Sequence, residues 1–488
     1  MKGAGKTAFL RYIQLKMDED QCLTKFISFA NEISDAERSR IIKEAHIKIY
    51  EQKGIEAINE CVSMWILFIL NQIAQLIEEN EHVFTTNRNI KIFCELMEKL
   101  HDAPDKTVLT WLQGVFKRGK YKFKSKYLEV TGKGASSDLE REYTIDQIVA
   151  RALEMLKHLS WEGKKRVYIF FDELNLSFAS RAQHKRDSVL IRDLIIAIDR
   201  VNTIFIQTGK PIYLLASARS EVLNVITEPT HEINKILGDR GRELRWFPTT
   251  AGGDWPILHL FVRKIKASEA VAGYPITQDV FHAYFQSGLF GMTAGSFVLE
   301  LTWCNPRDLV LLFGEAASKA ERGEWFFGEQ TIRRVLDRYS SEAWREKMEE
   351  LNVEYSPVEI ASLKKILLGF RPTFRVADFE HEARTKGEDD QNVRQFQAKR
   401  NAAKVLEDLY RIGIIGQATT PEGAGRAFAQ FREHWAYRGD SNFDPTAWMV
   451  IHRALWSDLR LGRITLDPGL MLRRHELGGV RRPHHKRR

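Results

Sequence analysis

The sequence predicts an α/β protein, with a parallel β-sheet flanked by helices and followed by two largely helical regions. Two strongly apolar segments, Arg166–Phe171 and Pro211–Ser217, are typical of buried parallel strands, and helical patterns precede and separate them. Residues 255–350 are almost wholly helical, and three helices with two short strands come after them. Alternating strands and helices favour a sheet covered on both faces.

Length and composition indicate a multidomain globular chain. The 488 residues exceed what one hydrophobic core accommodates, and 44% hydrophobic and 28% charged residues are typical of a cytoplasmic protein. The most apolar stretch, Met64–Leu70, is too short to cross a bilayer, so we expect a buried helix segment and no membrane partner. Widely spaced cysteines favour reduced structural thiols; they are Cys22, Cys61, Cys94 and Cys304.

The positive charge is concentrated at one end of the chain. Residues 473–488 contain seven basic residues and one acid, which supplies +6 of the formal net charge of +8. We expect this tail to be disordered and to add, at most, sequence-independent affinity for nucleic acid. The rest of the chain is close to neutral, which argues against a strongly basic nucleic-acid-binding body.

The first residues, KGAGKT, resemble the end of a phosphate-binding loop, G-x-x-x-x-G-K-[ST]. Gly3 and Gly5 would let backbone N–H groups face phosphates, Lys6 would contact the β- and γ-phosphates, and the Thr7 hydroxyl would bind Mg²⁺ at a helix start. The first glycine of the pattern and its strand would precede Met1. We expect a misassigned start codon or a truncated gene, and an apolar flank exposed beside the strand that carries Asp172.

The second half of the predicted site is the acid pair Asp172-Glu173, which ends the strand RVYIFF. Ligands bind beyond the carboxyl ends of parallel strands, so the two carboxylates would meet the phosphate loop there. Asp172 would hold Mg²⁺ through water, and Glu173 would polarise the attacking water. A strand that simply ends in a solvated turn is the structural alternative for this segment alone.

Further polar residues follow the next strands. Ser217 and Arg219 are candidates for contact with the γ-phosphate or the water, with surface capping as the alternative. Arg240 and Arg242 precede a predicted short strand, Glu243–Phe247, and could reach the phosphate of a neighbouring subunit. Ordinary solvated arginines are the alternative for this pair.

Two basic segments leave nucleic-acid binding open. In a predicted helix over 392–412, the stripe Arg400, Lys404 and Arg411 could enter a DNA groove, but two acids in the same helix would pair with it instead. The segment Lys120–Tyr127 alternates lysines with aromatic or small residues. It is compatible with single-stranded nucleic acid and equally with an edge strand protected by lysines.

Five segments together resemble the bacterial STAND/AAA-like P-loop ATPases, in an uncharacterised branch associated with phage defence: KGAGKT, VYIFFDEL, LLASARSEV, EINKILGDRGRELRWF and CNPRDLVLLFGEAA. The resemblance implies a P-loop NTPase sheet followed by an all-α lid and a winged helix. It also implies that Lys6 and Thr7 bind ATP and Mg²⁺, that Asp172 and Glu173 serve the metal and the water, and that Arg307 reads the γ-phosphate at the start of a lid helix.

The expected domains are an ATPase core over 1–250 with a helical insertion at about 35–160, a lid over 251–352, a winged helix over 353–440 and an extension over 441–488. The insertion is needed because Lys6 and Asp172 are 166 positions apart. The leading hypothesis is an ATP-driven, self-associating switch with ATPase activity. The alternatives are an initiator-like protein that binds DNA when ATP is bound and a scaffold that no longer hydrolyses ATP.

Overall fold

A computed structural model describes most of the chain. The described residues are 3–28, 56–85, 87–100, 120–124, 140–161, 165–174, 181–219, 222–223, 231–248, 253–352, 354–419, 432–440 and 442–461. By their contacts they form two compact units. The first is Lys6–Glu243, and the second joins Gly3–Gly5 to the residues from Leu244 onward.

The elements of the first unit follow one another in this chain order: α1 (Lys6–Glu19), β1 (Leu23–Ser28), α2 (Glu56–Glu79), β2 (Phe84–Thr85), α3 (Arg88–Leu100), β3 (Lys120–Lys124), β4 (Glu140–Thr144), α4 (Ile145–Leu156), β5 (Ser160–Trp161), β6 (Val167–Leu174), α5 (Arg181–Gln207), β7 (Ile212–Ala218) and α6 (His231–Arg240). The mixed α/β class is therefore confirmed for this unit.

The centre of the first unit is a parallel sheet in the order β1–β6–β7. β6 is buried along almost its whole length because strands pair with both of its edges. The expectation of an exposed flank beside the strand that carries Asp172 was therefore wrong. Within the described residues, the two outer edges of this sheet belong to β1 and β7, and Tyr213 on β7 is 36% exposed.

The predicted insertion contains three described helices and two small antiparallel strand pairs, β2–β5 and β3–β4. Its core is the apolar stretch of α2, where Met64–Leu70 are all buried, as predicted for this segment. No helix in the described part of the chain has the combined length and apolarity that a bilayer crossing requires.

The second unit continues with helices: α7 (Pro256–Val271), α8 (Val280–Tyr284), α9 (Ala294–Leu301), α10 (Pro306–Ser318) and α11 (Glu329–Leu351). They correspond to the predicted lid region. Glu243–Phe247, predicted as a strand, has no regular structure. The segment pairs with no described strand. The carbonyl of Trp246 instead accepts a hydrogen bond from the Ile257 N–H near the start of α7 (3.3 Å).

The rest of the second unit contains α12 (Pro357–Leu367), β8 (Thr373–Phe374), α13 (Val376–Asp389), α14 (Gln391–Lys399), α15 (Ala402–Arg411), β9 (Ile415–Thr419), β10 (Arg432–His434) and β11 (Trp448–Ile451). The strands form an antiparallel sheet in the order β10–β9–β11–β8. β11 lies beyond the predicted winged-helix boundary at residue 440, and the tail over 473–488 lies outside the described residues.

The helices of 244–352 and the sheet of 354–461 share buried contacts within the second unit. The Trp303 ring stacks on His452 at 3.9 Å, and its indole N–H donates to the Gly413 carbonyl at 2.7 Å. Arg453 is 2% exposed and donates to Glu300 on α9 and to both carboxylate oxygens of Glu433 on β10. These contacts join the two predicted domains into one compact unit.

Replacement of Arg453 tests the importance of this join. Arg453→Ala removes the buried cation that pairs with two half-buried carboxylates, Glu300 and Glu433, so we expect the free energy of unfolding to fall by about 3–5 kcal/mol. Urea denaturation followed by tryptophan fluorescence measures the change. Arg338→Ala is the control, because Arg338 is 72% exposed in its pair with Glu315. A loss at Arg453 no larger than that of the control would contradict a structural role for the network.

Candidate nucleotide-binding site

The backbone of residues 3–5 has the conformation that an anion-binding loop requires. Gly3 and Gly5 have φ values of +83° and +81°, a region that L residues with a Cβ rarely adopt. Helix α1 begins at the next residue, Lys6. Alternating hand of the backbone at such a loop turns successive N–H groups towards one side, and the helix dipole adds partial positive charge there.

Helix α1 runs antiparallel to β1 in the first unit. Near the end of α1, Asp18 accepts a hydrogen bond from the Thr24 hydroxyl at 2.7 Å. One to two turns earlier, the Arg11 guanidinium lies 3.5 Å from the centre of the Phe26 ring. The five residues from Arg11 back to Lys6 rise ~7.5 Å, and the two from Phe26 to Ser28 span ~6.6 Å. The start of α1 therefore lies at the carboxyl edge of the sheet.

Asp172 lies at this same carboxyl edge. It is paired in register with Ser28 of β1, and its Oδ1 accepts a hydrogen bond from the hydroxyl of Ser217 on β7. The residue is only 1% exposed, yet its Oδ2 accepts no hydrogen bond from the described residues. Burial of an unpaired carboxylate oxygen is costly. The arrangement therefore suits a carboxylate that receives a cation or its water shell.

Glu173 has a strained backbone beside this carboxylate. Its φ is +59°, a left-handed value that is uncommon for residues other than glycine, and the β6–β7 register shifts between Phe171 and Leu174. Its Oε2 accepts a hydrogen bond from the Ser28 hydroxyl at 2.5 Å. Such strain of order 1–3 kcal/mol is concentrated at functional sites. The bulge makes Asp172 and Glu173 contact different neighbouring strands.

Ser28 was not among the predicted site residues. In the segment LTKFISF, residues 23–29, nothing in the sequence distinguishes one serine at a strand end from a surface residue. The position of β1 beside β6 is what gives Ser28 its role. A polar residue at the end of any strand adjacent to the acid-bearing strand would have been the available signal.

Arg219 directly follows β7 at the carboxyl edge. Its carbonyl accepts a hydrogen bond from the Leu223 N–H at 3.0 Å, which fixes the backbone there. The half-buried guanidinium has no hydrogen bond or ion pair with the described residues. Arg219 is thus available for an anionic ligand, and its role as a site residue stays a prediction.

Arg240 and Arg242, predicted to reach a neighbouring subunit, differ in their surroundings. Arg240 pairs with Asp199 at 2.9 Å and donates to the Thr203 hydroxyl at 2.9 Å, so its guanidinium is held against α5. The Arg242 guanidinium donates to the carbonyl of its neighbour, Gly241, and its side chain is exposed. Of the two, Arg242 is better placed to extend from the surface.

Arg307 lies in the second unit at the start of α10. Pro306 occupies the first turn, and the Asn305 Oδ1 caps the helix by accepting from the Arg307 N–H at 3.0 Å. The Arg307 guanidinium pairs with Glu346 at 2.7 Å and its side chain is 46% exposed. A Cβ at Gly3 would lie 2.7 Å from the Cβ of Arg307, so the glycine loop packs directly against this helix start.

The predicted DNA-binding stripe is engaged in ion pairs inside the second unit. The helix predicted over 392–412 is two helices, because Arg400 is extended and Asn401 caps α15. Arg400 donates to Glu359 at 2.8 Å and stacks over the Tyr355 ring. Lys404 pairs with Glu407 and Asp408, and Arg411 with Glu354 and Asp408. These pairs favour internal docking over contact with DNA.

The lysine-rich hairpin also has acidic neighbours. Lys122 of β3 is exposed and paired in register with Glu142 of β4, while Phe123 is 7% exposed. Lys122 and Phe123 therefore lie on opposite faces of β3, as the alternation predicted for these two residues. An edge pair with its charge balanced across the strands accounts for this pattern without nucleic acid.

Among the described residues, no group of three or more His, Cys, Asp or Glu could hold a metal ion.

In three comparisons with known proteins, no family model, no curated protein and no solved structure matches this chain. The resemblance to STAND/AAA-like ATPases therefore stays a prediction.

Acid titration should reveal the pair between Arg400 and Glu359. The hydrogen bond from Arg400 lowers the pKa of Glu359 to about 2. A lowered pKa gives stability that is present above the unfolded value near 4.5 and is lost as pH falls towards 2. Relative to Glu359→Gln, the wild type should be about 2–3 kcal/mol more stable at pH 7.

The measurement is the difference in unfolding free energy between these two proteins from pH 7 to pH 2. We expect the difference to shrink below about pH 4.5. Glu407→Gln, in the half-exposed pair with Lys404, is the control and should change stability by less than about 0.5 kcal/mol. A difference that is independent of pH would contradict the assigned ion pair.

Asp172→Asn separates a functional from a structural carboxylate. The amide keeps an oxygen for Ser217 and removes an unpaired buried charge, so we expect the ligand-free protein to gain about 1 kcal/mol, or ~2–4 °C in Tm. Affinity for Mg²⁺-ATP should fall in the same variant. Calorimetry measures both, with the exposed Asp20→Asn as control. Lower stability together with intact ATP affinity would mean that Asp172 is structural.

Proposed function

We propose that this chain binds ATP with Mg²⁺ at the carboxyl edge of the parallel sheet and hydrolyses the γ-phosphate. The observation that carries the proposal is that, within the first unit, the start of α1 lies at the same edge of the parallel sheet as Asp172, whose buried Oδ2 accepts no hydrogen bond from the described residues. A Gly-Lys-Thr sequence at a helix start and a buried acid at the end of a neighbouring strand form the phosphate and metal halves of one kind of site.

The residues have distinct proposed roles in binding. Backbone N–H groups after Gly3 and Gly5 and the ammonium of Lys6 neutralise the phosphates. The hydroxyl of Thr7 and the free oxygen of Asp172 would hold the hydrated metal. Mg²⁺ held there would supply positive charge against the charge that develops on the phosphate oxygens. Ser217 keeps Asp172 oriented by occupying its other oxygen.

In the proposed hydrolysis, Glu173 accepts a proton from water as that water attacks the γ-phosphorus. A bond forms from the water oxygen to phosphorus, and the bond to the oxygen of the leaving ADP breaks. Ser28 donates to one carboxylate oxygen of Glu173 and leaves the other for the water. Arg219, at the same edge, supplies positive charge to the transferred phosphoryl group.

A switch function follows as a part of this proposal. Within the second unit, Arg307 lies beside Gly3 and pairs with Glu346, and its reading of the γ-phosphate stays a prediction. Since Trp303 and Arg453 join the helical and winged-helix regions, the two would respond together rather than separately. Self-association and a role in phage defence stay predictions. The ion pairs of Arg400, Lys404 and Arg411 give the DNA-binding alternative no added support.

Two lysines on α1 provide a matched test of nucleotide binding. Lys6→Ala should raise the Kd for Mg²⁺-ATP by about 10- to 100-fold, the value of a hydrogen bond between charged groups. Lys16→Ala should leave the Kd unchanged, since Lys16 is exposed and pairs with Glu19. Isothermal titration measures both. Equal affinities in the two variants would refute the phosphate role of Lys6.

Glu173→Gln distinguishes an ATPase from a scaffold. The amide keeps the size of the side chain but cannot accept a proton from water, so binding should persist while phosphate release falls at least ~100-fold. Inorganic phosphate release under single-turnover conditions measures the step. A wild type that binds ATP but releases no more phosphate than the variant would identify a non-hydrolysing scaffold.

A further inference from the structure

The loop Gly3–Gly5 makes its contacts with the second unit, and two of its neighbours there have no role in the site described above. The indole N–H of Trp246 donates to the carbonyl oxygen of Ala4 at 2.8 Å. The side chain of Asn305 lies against Gly3, where an added Cβ would be 2.9 Å from both its Nδ2 and its Oδ1. The loop is therefore held from one side by a hydrogen bond and by close packing.

The contact to Ala4 fixes more than one carbonyl. The described residues contain no cis peptide bond, so the Ala4 carbonyl and the Gly5 N–H point in opposite directions across one planar unit. When the indole holds the carbonyl, the Gly5 N–H is directed to the other side of the loop. Without the indole, a glycine-rich segment can rotate this peptide plane at low cost, because Gly5 tolerates both signs of φ.

The indole itself is well anchored. Its residue lies in the irregular stretch before α7, where the Trp246 carbonyl accepts from the Ile257 N–H at 3.3 Å. The ring is half-buried, and its Cζ2 would lie 3.9 Å from a Cβ at Gly5, an ordinary packing distance. The donor is thus fixed by its own backbone and by contact with the loop that it orients.

We infer that Trp246 is a positioning residue of the phosphate loop: it orients the Ala4–Gly5 peptide so that the Gly5 N–H faces the phosphates. The inference rests on the proposed nucleotide site and adds a residue 242 positions from Ala4 in the sequence. Asn305 supports the same loop by packing against Gly3, while its Oδ1 caps α10. Trp246 acts on the phosphate part of the ligand and not on the base.

Trp246→Phe is the main test, because it keeps an aromatic ring and removes only the donor. We expect the Kd for Mg²⁺-ATP to rise about 2- to 10-fold, the value of one neutral hydrogen bond, with an unchanged Tm in the absence of nucleotide. The Kd for inorganic tripolyphosphate, measured by competition, should rise by the same factor. Trp246→Tyr, which also lacks the indole donor, is a second variant in case the first does not fold.

The control is Trp325→Phe, which changes an indole that is 83% exposed and should alter neither Kd. A spectroscopic readout accompanies the affinities: the change in tryptophan fluorescence on addition of Mg²⁺-ATP should shrink in Trp246→Phe and persist in Trp325→Phe. A purely structural role for Trp246 would lower Tm and leave the affinity ratio of folded protein unchanged.

The outcomes separate this inference from the proposed function. If the wild type binds neither ATP nor tripolyphosphate, the proposed site fails and the inference falls with it. If the wild type binds both and Trp246→Phe binds them equally well, the site stands and the inference is wrong. Loss of affinity for ATP alone, with tripolyphosphate unaffected, would mean that Trp246 contacts the base and would also overturn the inference.

Discussion

The buried carboxylate of Asp172 is the constraint on which the proposed site depends. One of its oxygens is occupied by Ser217, and the other accepts no hydrogen bond from the described residues although the side chain is 1% exposed. A protein rarely retains such a group without a use for it, since a neutral residue would fold more stably. The helix start at Lys6 supplies the complementary positive end at the same edge of the sheet.

At the end of β6, the backbone directs two adjacent acids, Asp172 and Glu173, towards different neighbouring strands. A continued β ladder would place adjacent side chains on opposite faces of the sheet. The left-handed backbone of Glu173 breaks that alternation, and the two carboxylates meet serines on opposite neighbours, Ser217 and Ser28. The proposed metal binding and water activation would need neighbouring but independently oriented carboxylates, and the bulge gives Asp172 and Glu173 different orientations.

Much of the first unit could be predicted from local patterns, because apolar runs such as RVYIFF form strands in any buried parallel sheet. Glu243–Phe247 was wrongly predicted as a strand: it alternates plausibly but has no described strand to pair with, and strand formation depends on a partner. The prediction of a single helix over 392–412 was wrong at Arg400, where the helix is interrupted. Arg400 forms an ion pair with Glu359 there, and Asn401 caps the next helix.

The proposed site also contains residues that local patterns predict and residues that they do not. Short sequence motifs predict Lys6, Asp172 and Glu173. The positions of Ser28 and Trp246 depend on strand order and on long-range packing, which no local pattern encodes. The basic residues of the predicted winged-helix region could be recognised in the sequence, but the pairing of Arg400 with Glu359 and of Arg411 with Glu354 could not. Sequence spacing identifies candidate site residues when they are close together in the chain. When they are far apart in the chain, the tertiary structure is needed to identify them.

The most direct measurement is a crystal structure of the protein with Mg²⁺ and a non-hydrolysable ATP analogue. We expect phosphates against the N–H groups of residues 5–7, with the metal joined to the free oxygen of Asp172 directly or through one water. An analogue bound away from the start of α1, or a metal with no link to Asp172, would refute the proposed site.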